Sequence, residues 1–454
     1  MVTQEVELPL SPTALLTRCA GEPNVCLLDG GSADSWGCGY ALLGFQPRAT
    51  LRVTAGGHAV VRTGDRESHC DGDPLALLDQ FCREWAPSAS SAVTPFAGGV
   101  IAALSYDLGR WIEPRRWRQR TALDAPIVHA ASYEWLLAYS YLRRRYQLVS
   151  ARCSQTELDD VARKLRALAG GPALIAAGSG RAAVADWTRE QFLSAVRAVL
   201  EYIAAGDAYQ VNLAQRFVVT DPPPPAAMFA ALQSHVMPFA AYLDAGDFVL
   251  LSNSPECLLT LHEGRVATFP VKGTRRRVAD PRVDQLLMRA LREDAKERAE
   301  HVMIVDLERN DLGRVCQTGS VHVPEFARLC SFPSLHHLVS TVTGRLRAGT
   351  SVGDLLRATF PGGSITGAPK IRAMEIIDEL EPVARGFYTG AIGFIGSGGH
   401  AVFNLTIRTA VATAQGMTYH AGAGIVADSV PHNEYEETLL KAAPFFAALT
   451  AKAA

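Results

Sequence analysis

Apolar residues up to position 168 come in short bursts between turn residues, as in HAVVRTG and YQLVSARC, and predict strands; TELDDVARKLRALAG then repeats at helical spacing. The stretch 170 to 185, GGPALIAAGSGRAAVA, is rich in small residues and reads as a connection. Beyond it the pattern becomes more regular. Thr188 and Gln191 form a capping-box pair, and Phe192, Ala195, Val196, Val199, Leu200 and Ile203 mark one helical face before Gly206 ends it. AYQVNLAQRFVV reads as a strand, PPPP at 222 to 225 as a loop, and AAYLDAG, DFVLLSNS, ECLLTLHEG and RVATFPVKG follow at hairpin spacing. A long helix is predicted over about 281 to 300 and a last one near 433 to 450, with more strands between them. The pattern lacks regular βαβ alternation and shows no repeat, so the fold class is α+β, with an N-terminal domain over 1–168, a connection over 169–185 and a second domain over 186–454.

Composition narrows the partners more than the fold. The chain has 454 residues, 48% of them hydrophobic and 20% charged, with a net charge of −2, which is globular throughout and offers no basic field for nucleic acid or an anionic membrane. The start, MVTQEVELPL, does not resemble a secretory signal and no apolar run reaches membrane-spanning length, so a cytoplasmic protein is expected. Nine scattered cysteines without a CxxC pair read as reduced thiols.

Of the 44 lysines and arginines only six are lysine, and one of them, Lys272, stands in the glycine-containing turn FPVKGTRRR. A desolvated lysine can act as an amine nucleophile where arginine cannot; a solvated turn lysine is the plainer reading. Glu297 and Glu300 lie three apart on one helix, Glu434 and Glu437 repeat the arrangement on the last helix with Lys441 a turn further on, and two such pairs could oppose carboxylates across a hard divalent cation. Each pair alone is also an ordinary solvated face. FPGGSITGAPK offers Ser364 and Thr366 among glycines but lacks the GK[ST] ending of a nucleotide loop, which excludes that mode of ATP binding. HAGAGIVADS reads as an anion nest or a tight turn. Tyr388 and Arg408 fall in strand-like runs, where an inward arginine needs an anion. Glu256 follows a proline at a strand start and is a candidate general acid, while His337 could orient a hydroxyl.

DAYQVNLAQRF, SNSPE, PVKGTRRR, RAEHVMIVDLERNDLGR, FPGGSITGAPK, YTGAIG, NLTIRTA and GAGIVADSVPHNEYEETLLKA together resemble, in order, the chorismate-utilising enzymes, and PNVCLLDGGSADSWGCGYALLG and PFAGGVIAALSYDLGR resemble the first domain of the anthranilate synthase and aminodeoxychorismate synthase large subunits. The resemblance implies packed antiparallel sheets flanked by helices, with chorismate and Mg²⁺ in a central cleft. Matched by motif, Glu300 and Glu437 correspond to Mg²⁺ ligands and Glu297 and Glu434 to carboxylates that support the ion through water. Tyr388 and Arg408 correspond to holders of the pyruvyl carboxylate, and Gly422, Ala423 and Gly424 with Lys441 to the ring-carboxylate pocket. His337, Ser364 and Thr366 correspond to the lining of the reacting edge.

Two positions choose among members of the family. Isochorismate and salicylate synthases carry a water-activating lysine where this chain has Gln210, and anthranilate synthases typically carry alanine at the position of Lys272. Lysine there is the aminodeoxychorismate synthase pattern, which implies attack by Lys272 on ring C2, Glu256 as acid, and ammonia adding at C4. Burial beside Mg²⁺ and the run Arg275 to Arg277 is expected to lower the pKa of Lys272. Ammonia is then expected from a separate glutamine amidotransferase subunit, and a separate lyase would carry the product on to 4-aminobenzoate for folate. An anthranilate synthase component, or a silent scaffold for the amidotransferase, are the competing readings. Some relatives bind tryptophan at the segments resembling LLDGGSADSW and MPFAAYL, although LLDGG departs from their LLES or LLDS pattern.

Overall fold

A computed structural model describes residues 1–31, 39–86, 98–115, 117–118, 125–172, 182–235, 237–331, 335–396 and 399–451. Two antiparallel sheets of twelve strands each, counted over the described residues, make up its centre. Both sheets take strands from the two sides of the connecting stretch. In the first, Tyr40–Gly44 and Cys26–Asp29 run beside Phe239–Asp244 and Phe248–Ser254, and the order continues through Thr409–Thr413 and Gly416–Val426 to Gln210–Val219. In the second, Gly99–Leu104 pairs with Ala391–Ile395, while Leu335–Arg345 lies between Val271–Arg276 and Arg265–Thr268.

The inner faces meet in an apolar layer where Ile101, Ala103 and Ala131 of one sheet pack with Leu243, Phe248 and Leu250 of the other. Helices Pro12–Cys19, Gln155–Gly170, Pro225–Leu232 and Pro431–Thr450 cover the outer face of the first sheet, and Pro74–Trp85, Val352–Thr359 and part of Ala295–Gly313 that of the second. The α+β expectation of packed antiparallel sheets flanked by helices is met. The capping box also forms: Gln191 N donates to Thr188 Oγ1 at 3.3 Å and Thr188 N to Gln191 Oε1 at 2.8 Å, a cap worth about 1 kcal/mol.

Three local expectations change. The helix expected over 281 to 300 is two helices, Pro281–Glu293 and Ala295–Gly313, because Asp294 leaves the helical conformation and accepts a hydrogen bond from Glu297 N as an N-cap. RVATFPVKG is two strands, Arg265–Thr268 and Val271–Arg276, interrupted at Phe269 and Pro270. Lys272 therefore lies in a strand, not a turn, next to a register shift at Gly273, whose φ of +73° a glycine accommodates without strain.

Among the described residues no helix is long and apolar enough to cross a membrane. Eight cysteines among the described residues are free.

Candidate active site

Lys272 projects from the second sheet toward the start of strand Gln210–Val219 in the first. Its Nζ donates to Gln210 Oε1 at 2.9 Å and stands 3.6 Å from Glu300 Oε2. Burial holds the amine below the usual lysine range; Glu300 opposes this, and Lys441 adds to it. The arginine run does not have the part expected of it. Arg275 is engaged with Asp294 and Glu297 at 3.0 and 3.1 Å and Arg277 with Asp284 at 3.3 Å, so their charge is locally compensated.

Glu256 precedes strand Cys257–His262 and is 7% exposed. Burial pushes its carboxyl up to about 7, against the Ser364 hydroxyl, which donates to Oε1 at 2.5 Å, and against the charges of Lys272, Lys441 and Arg408. It is thus a carboxyl that can keep its proton near neutrality. Thr366 Oγ1 donates to Gly362 O at 2.9 Å and holds the turn that presents Ser364. His337 Nδ1 lies 3.2 Å from Gly273 O, which fixes the proton on Nδ1, and burial lowers its pKa to about 4, so the ring is neutral.

The other wall carries Arg408, Tyr388 and a glycine-bearing strand. Tyr388 and Arg408 lie in turns rather than in strands, and Arg408 adopts φ of +50°. Arg408 has no carboxylate within ion-pair distance among the described residues, and burial lowers its pKa. Tyr388 stacks on His420 with ring centroids 5.0 Å apart. Gly422, Ala423 and Gly424 form neither a nest nor a turn; they lie within strand Gly416–Val426, opposite Ala214, Leu213 and Asn212.

Asn212 N donates to Thr366 O and Ala214 N to Glu381 Oε1, each at 2.9 Å, so both point away from the glycine strand. The pairs 212/424 and 214/422 are then non-hydrogen-bonded pairs, and the peptide groups of Gly422 and Gly424 turn to the opposite edge. There the pairing with strand Thr409–Thr413 reaches only to Ala410 opposite Tyr419, and Lys441 Nζ donates to Gly422 O at 2.9 Å. The missing side chains matter too. A Cβ on Gly424 would stand 3.4 Å from both Lys272 Nζ and Gln210 Nε2, and one on Gly422 would stand 2.9 Å from the Tyr388 hydroxyl. Ala423 faces the opposite side, into the core.

Glu297 and Glu300 come from helix Ala295–Gly313, and Glu434 and Glu437 from helix Pro431–Thr450. Glu300, Glu297 and Glu437 all act electrostatically on Lys272, so carboxylates of both helices face one site. As placed, Glu297 pairs with Arg275 at 3.1 Å, and Glu437 with Lys441 at 2.7 Å. No three potential ligands gather closely enough for a single ion among the described residues. The donor set is all hard oxygen and fits Mg²⁺ rather than a softer metal.

Two features carried no sequence signal. Arg385 and Glu381 form a buried ion pair at 2.6 Å; Arg385 also donates to Asn212 O and Ile365 O, and its guanidinium lies 5.6 Å from the Tyr388 ring centroid. Breaking such a pair typically costs about 3–5 kcal/mol. Arginine four residues from glutamate looks like any surface pair. Glu308 is the second: its Oε2 is buried, although the stretch DLERNDLGR around it is rich in charged residues. Of the segment LLDGGSADSW, residues 32 to 36 lie outside the described residues. Its Asp29 accepts hydrogen bonds from the Tyr141 hydroxyl at 2.7 Å and Gly31 N at 2.9 Å, beside a narrow apolar cleft lined by Leu28, Tyr40, Pro238 and Phe394.

A family model described as chorismate binding enzyme matches residues 24–447. Aminodeoxychorismate synthase component 1 of Klebsiella aerogenes is 40% identical over 444 residues, 96% of each chain. Anthranilate synthase component 1 of Thermus thermophilus is 40% identical over 410 residues, 89% of this chain and 87% of the relative. The crystal structure of anthranilate synthase component I from Streptococcus pneumoniae superposes with a TM-score of 0.78 at 30% identity, covering 90% of this chain and 92% of that one. With the match spanning both sheets and every element that lines the cleft, this chain belongs to the chorismate-binding enzyme family.

Proposed function

We propose that this chorismate-utilising enzyme is the large component of an aminodeoxychorismate synthase, converting chorismate and ammonia to 4-amino-4-deoxychorismate. Identity does not separate this activity from anthranilate formation, since relatives of both names reach 40%. The observation that carries the reading is Lys272, buried and held by Gln210 at 2.9 Å where both carboxylate-bearing helices converge. Burial favours the neutral amine, the form with a lone pair to give.

In the proposed course Lys272 Nζ bonds to ring C2, the ring double bond shifts, and the C4–O bond breaks. Glu256 supplies the proton, so the hydroxyl leaves as water. Ammonia then bonds to C4, the electrons return, and the C2–N bond breaks to release the lysine. Arg408 and Tyr388 would hold the pyruvyl carboxylate. Lys441 with the turned-out peptide groups of Gly422 and Gly424 would hold the ring carboxylate, and neutral His337 would line the reacting edge. Glu300 and Glu437 would hold Mg²⁺ directly and Glu297 and Glu434 through water. When bound, the ion supplies positive charge against the ring carboxylate.

Ammonia would come from a separate glutamine amidotransferase, and tryptophan in the cleft beside Asp29 would be a structural or regulatory ligand. The test is product identity from chorismate, Mg²⁺ and either ammonium or glutamine. Ammonium is expected to give a non-fluorescent amino product, with glutamine inert for the chain alone; fluorescent anthranilate would overturn the reading.

A further inference from the structure

The second sheet begins with the lysine strand Val271–Arg276 and ends, at its opposite edge, on the hairpin of strands His58–Thr63 and Arg66–Asp71. Every residue of that last strand is exposed. Ala59 is buried in the core, so strand alternation directs His58, Val60 and Arg62 to the outer face. The register pairs His58 with Asp71, Val60 with His69 and Arg62 with Glu67, which gathers two imidazoles and two carboxylates on that face. None of them has a part in the chorismate site.

His58 Nδ1 lies 3.0 Å from Asp71 Oδ1, a contact that keeps the ring proton on Nδ1 and leaves Nε2 as a lone pair. That Nε2 faces His69 Nδ1 at 3.4 Å. On the other side of His69, Nε2 has Glu67 Oε2 at 3.9 Å, and Glu67 is itself held by Arg62 at 2.7 Å. Each imidazole thus has a carboxylate by its outer nitrogen and the other imidazole by its inner one. A separation of 3.4 Å is long for a nitrogen hydrogen bond. It matches two nitrogens on one tetrahedral ion, since bonds of about 2.0–2.1 Å at the tetrahedral angle set them about 3.3–3.4 Å apart. A carboxylate behind a metal-binding histidine fixes its tautomer and raises its basicity.

We propose that His58 Nε2 and His69 Nδ1 together bind one transition-metal ion of the Zn²⁺ class at the outer edge of the second sheet. The protein supplies two ligands and water completes the shell, in keeping with the lack of any three-residue cluster among the described residues. Binding places the His69 proton on Nε2, beside Glu67, so that both inner nitrogens present lone pairs. Imidazole donors suit Zn²⁺ and Cu²⁺ and are poor ligands for Mg²⁺, so this site and the all-oxygen set of the cleft select different ions. Cys70 takes no part, because it pairs with Ala59 and shares that residue's face. The ion would tie together the two strands of an exposed edge hairpin.

The experiment is calorimetric titration of the full chain with Zn²⁺ in excess Mg²⁺, which occupies the oxygen ligands of the cleft. The wild type is expected to bind one more Zn²⁺ than the His58→Ala, His69→Ala double variant. Asp71→Asn, which removes only the carboxylate behind His58, should weaken that binding about tenfold. Cys70→Ser should bind as the wild type does. Hydrogen exchange should place the ion, with Zn²⁺ slowing amide exchange across residues 58 to 71 in the wild type and not in the double variant. All of these variants should turn over chorismate with Mg²⁺ at the wild-type rate, which also shows that they fold. No Zn²⁺ bound by the wild type in excess Mg²⁺, equal stoichiometry in wild type and double variant, or binding lost in Cys70→Ser would each overturn the proposal.

Discussion

At the scale of the residue, the site is a set of charges held away from their ordinary states by burial. Lys272 is pressed toward its neutral form and Glu256 toward its protonated one. That poise has a cost in stability, and the sign follows from proton binding. Glu256 keeps its proton to about 7 when folded, against 4.5 for an ordinary glutamate. Between those values the native state binds more protons than the unfolded chain, so stability falls as pH rises. The loss is about 3 kcal/mol by pH 8, at 1.36 kcal/mol per pH unit. Glu256→Gln lacks it, and denaturant titration should find the variant more stable relative to wild type at pH 8 than at pH 5 by about that amount. An equal difference at both pH values would mean that Glu256 is ionised in the native state.

At the scale of the element, the site depends on how two strands are paired. The strand Gln210–Val219 directs the N–H groups of Asn212 and Ala214 away from its neighbour, which leaves Gly422 and Gly424 with their peptide groups toward the open edge. Gly424→Ala would place a methyl 3.4 Å from Lys272 Nζ. It is expected to lower kcat/KM about tenfold, equivalent to about 1.4 kcal/mol, while the melting temperature hardly moves. A wild-type kcat/KM would show that substrate does not use this space. Little of this was legible from the chain alone. The GxG spacing suggested a nest or a turn, since register with a strand some 200 residues away is not a local property. The break at Asp294 was hidden for a similar reason: the helical pattern is continuous, and only the cap shows where it restarts. Hairpins were legible because the turn carries its own signal, as at Glu263 and Gly264, both with positive φ. Glu308 was not, because burial of a charge leaves no mark on periodicity.

At the scale of the molecule, two large sheets bring together segments that are far apart in sequence. Lys272 and His337 come from the second sheet, Gln210 and the glycine strand from the first, and the carboxylate pairs from helices on different sides. The ordered motifs identified these residues one by one, but their convergence on one amine is a property of the packing. The central claim is that this amine forms a bond to the substrate. It is tested most directly by mass spectrometry of the enzyme quenched with chorismate and Mg²⁺ in the absence of ammonia. The expected result is a mass gain equal to chorismate less one water, located to the peptide bearing Lys272 and absent from Lys272→Ala, which should turn over far more slowly. A Lys272→Ala enzyme that makes the same product at the wild-type rate would contradict the account.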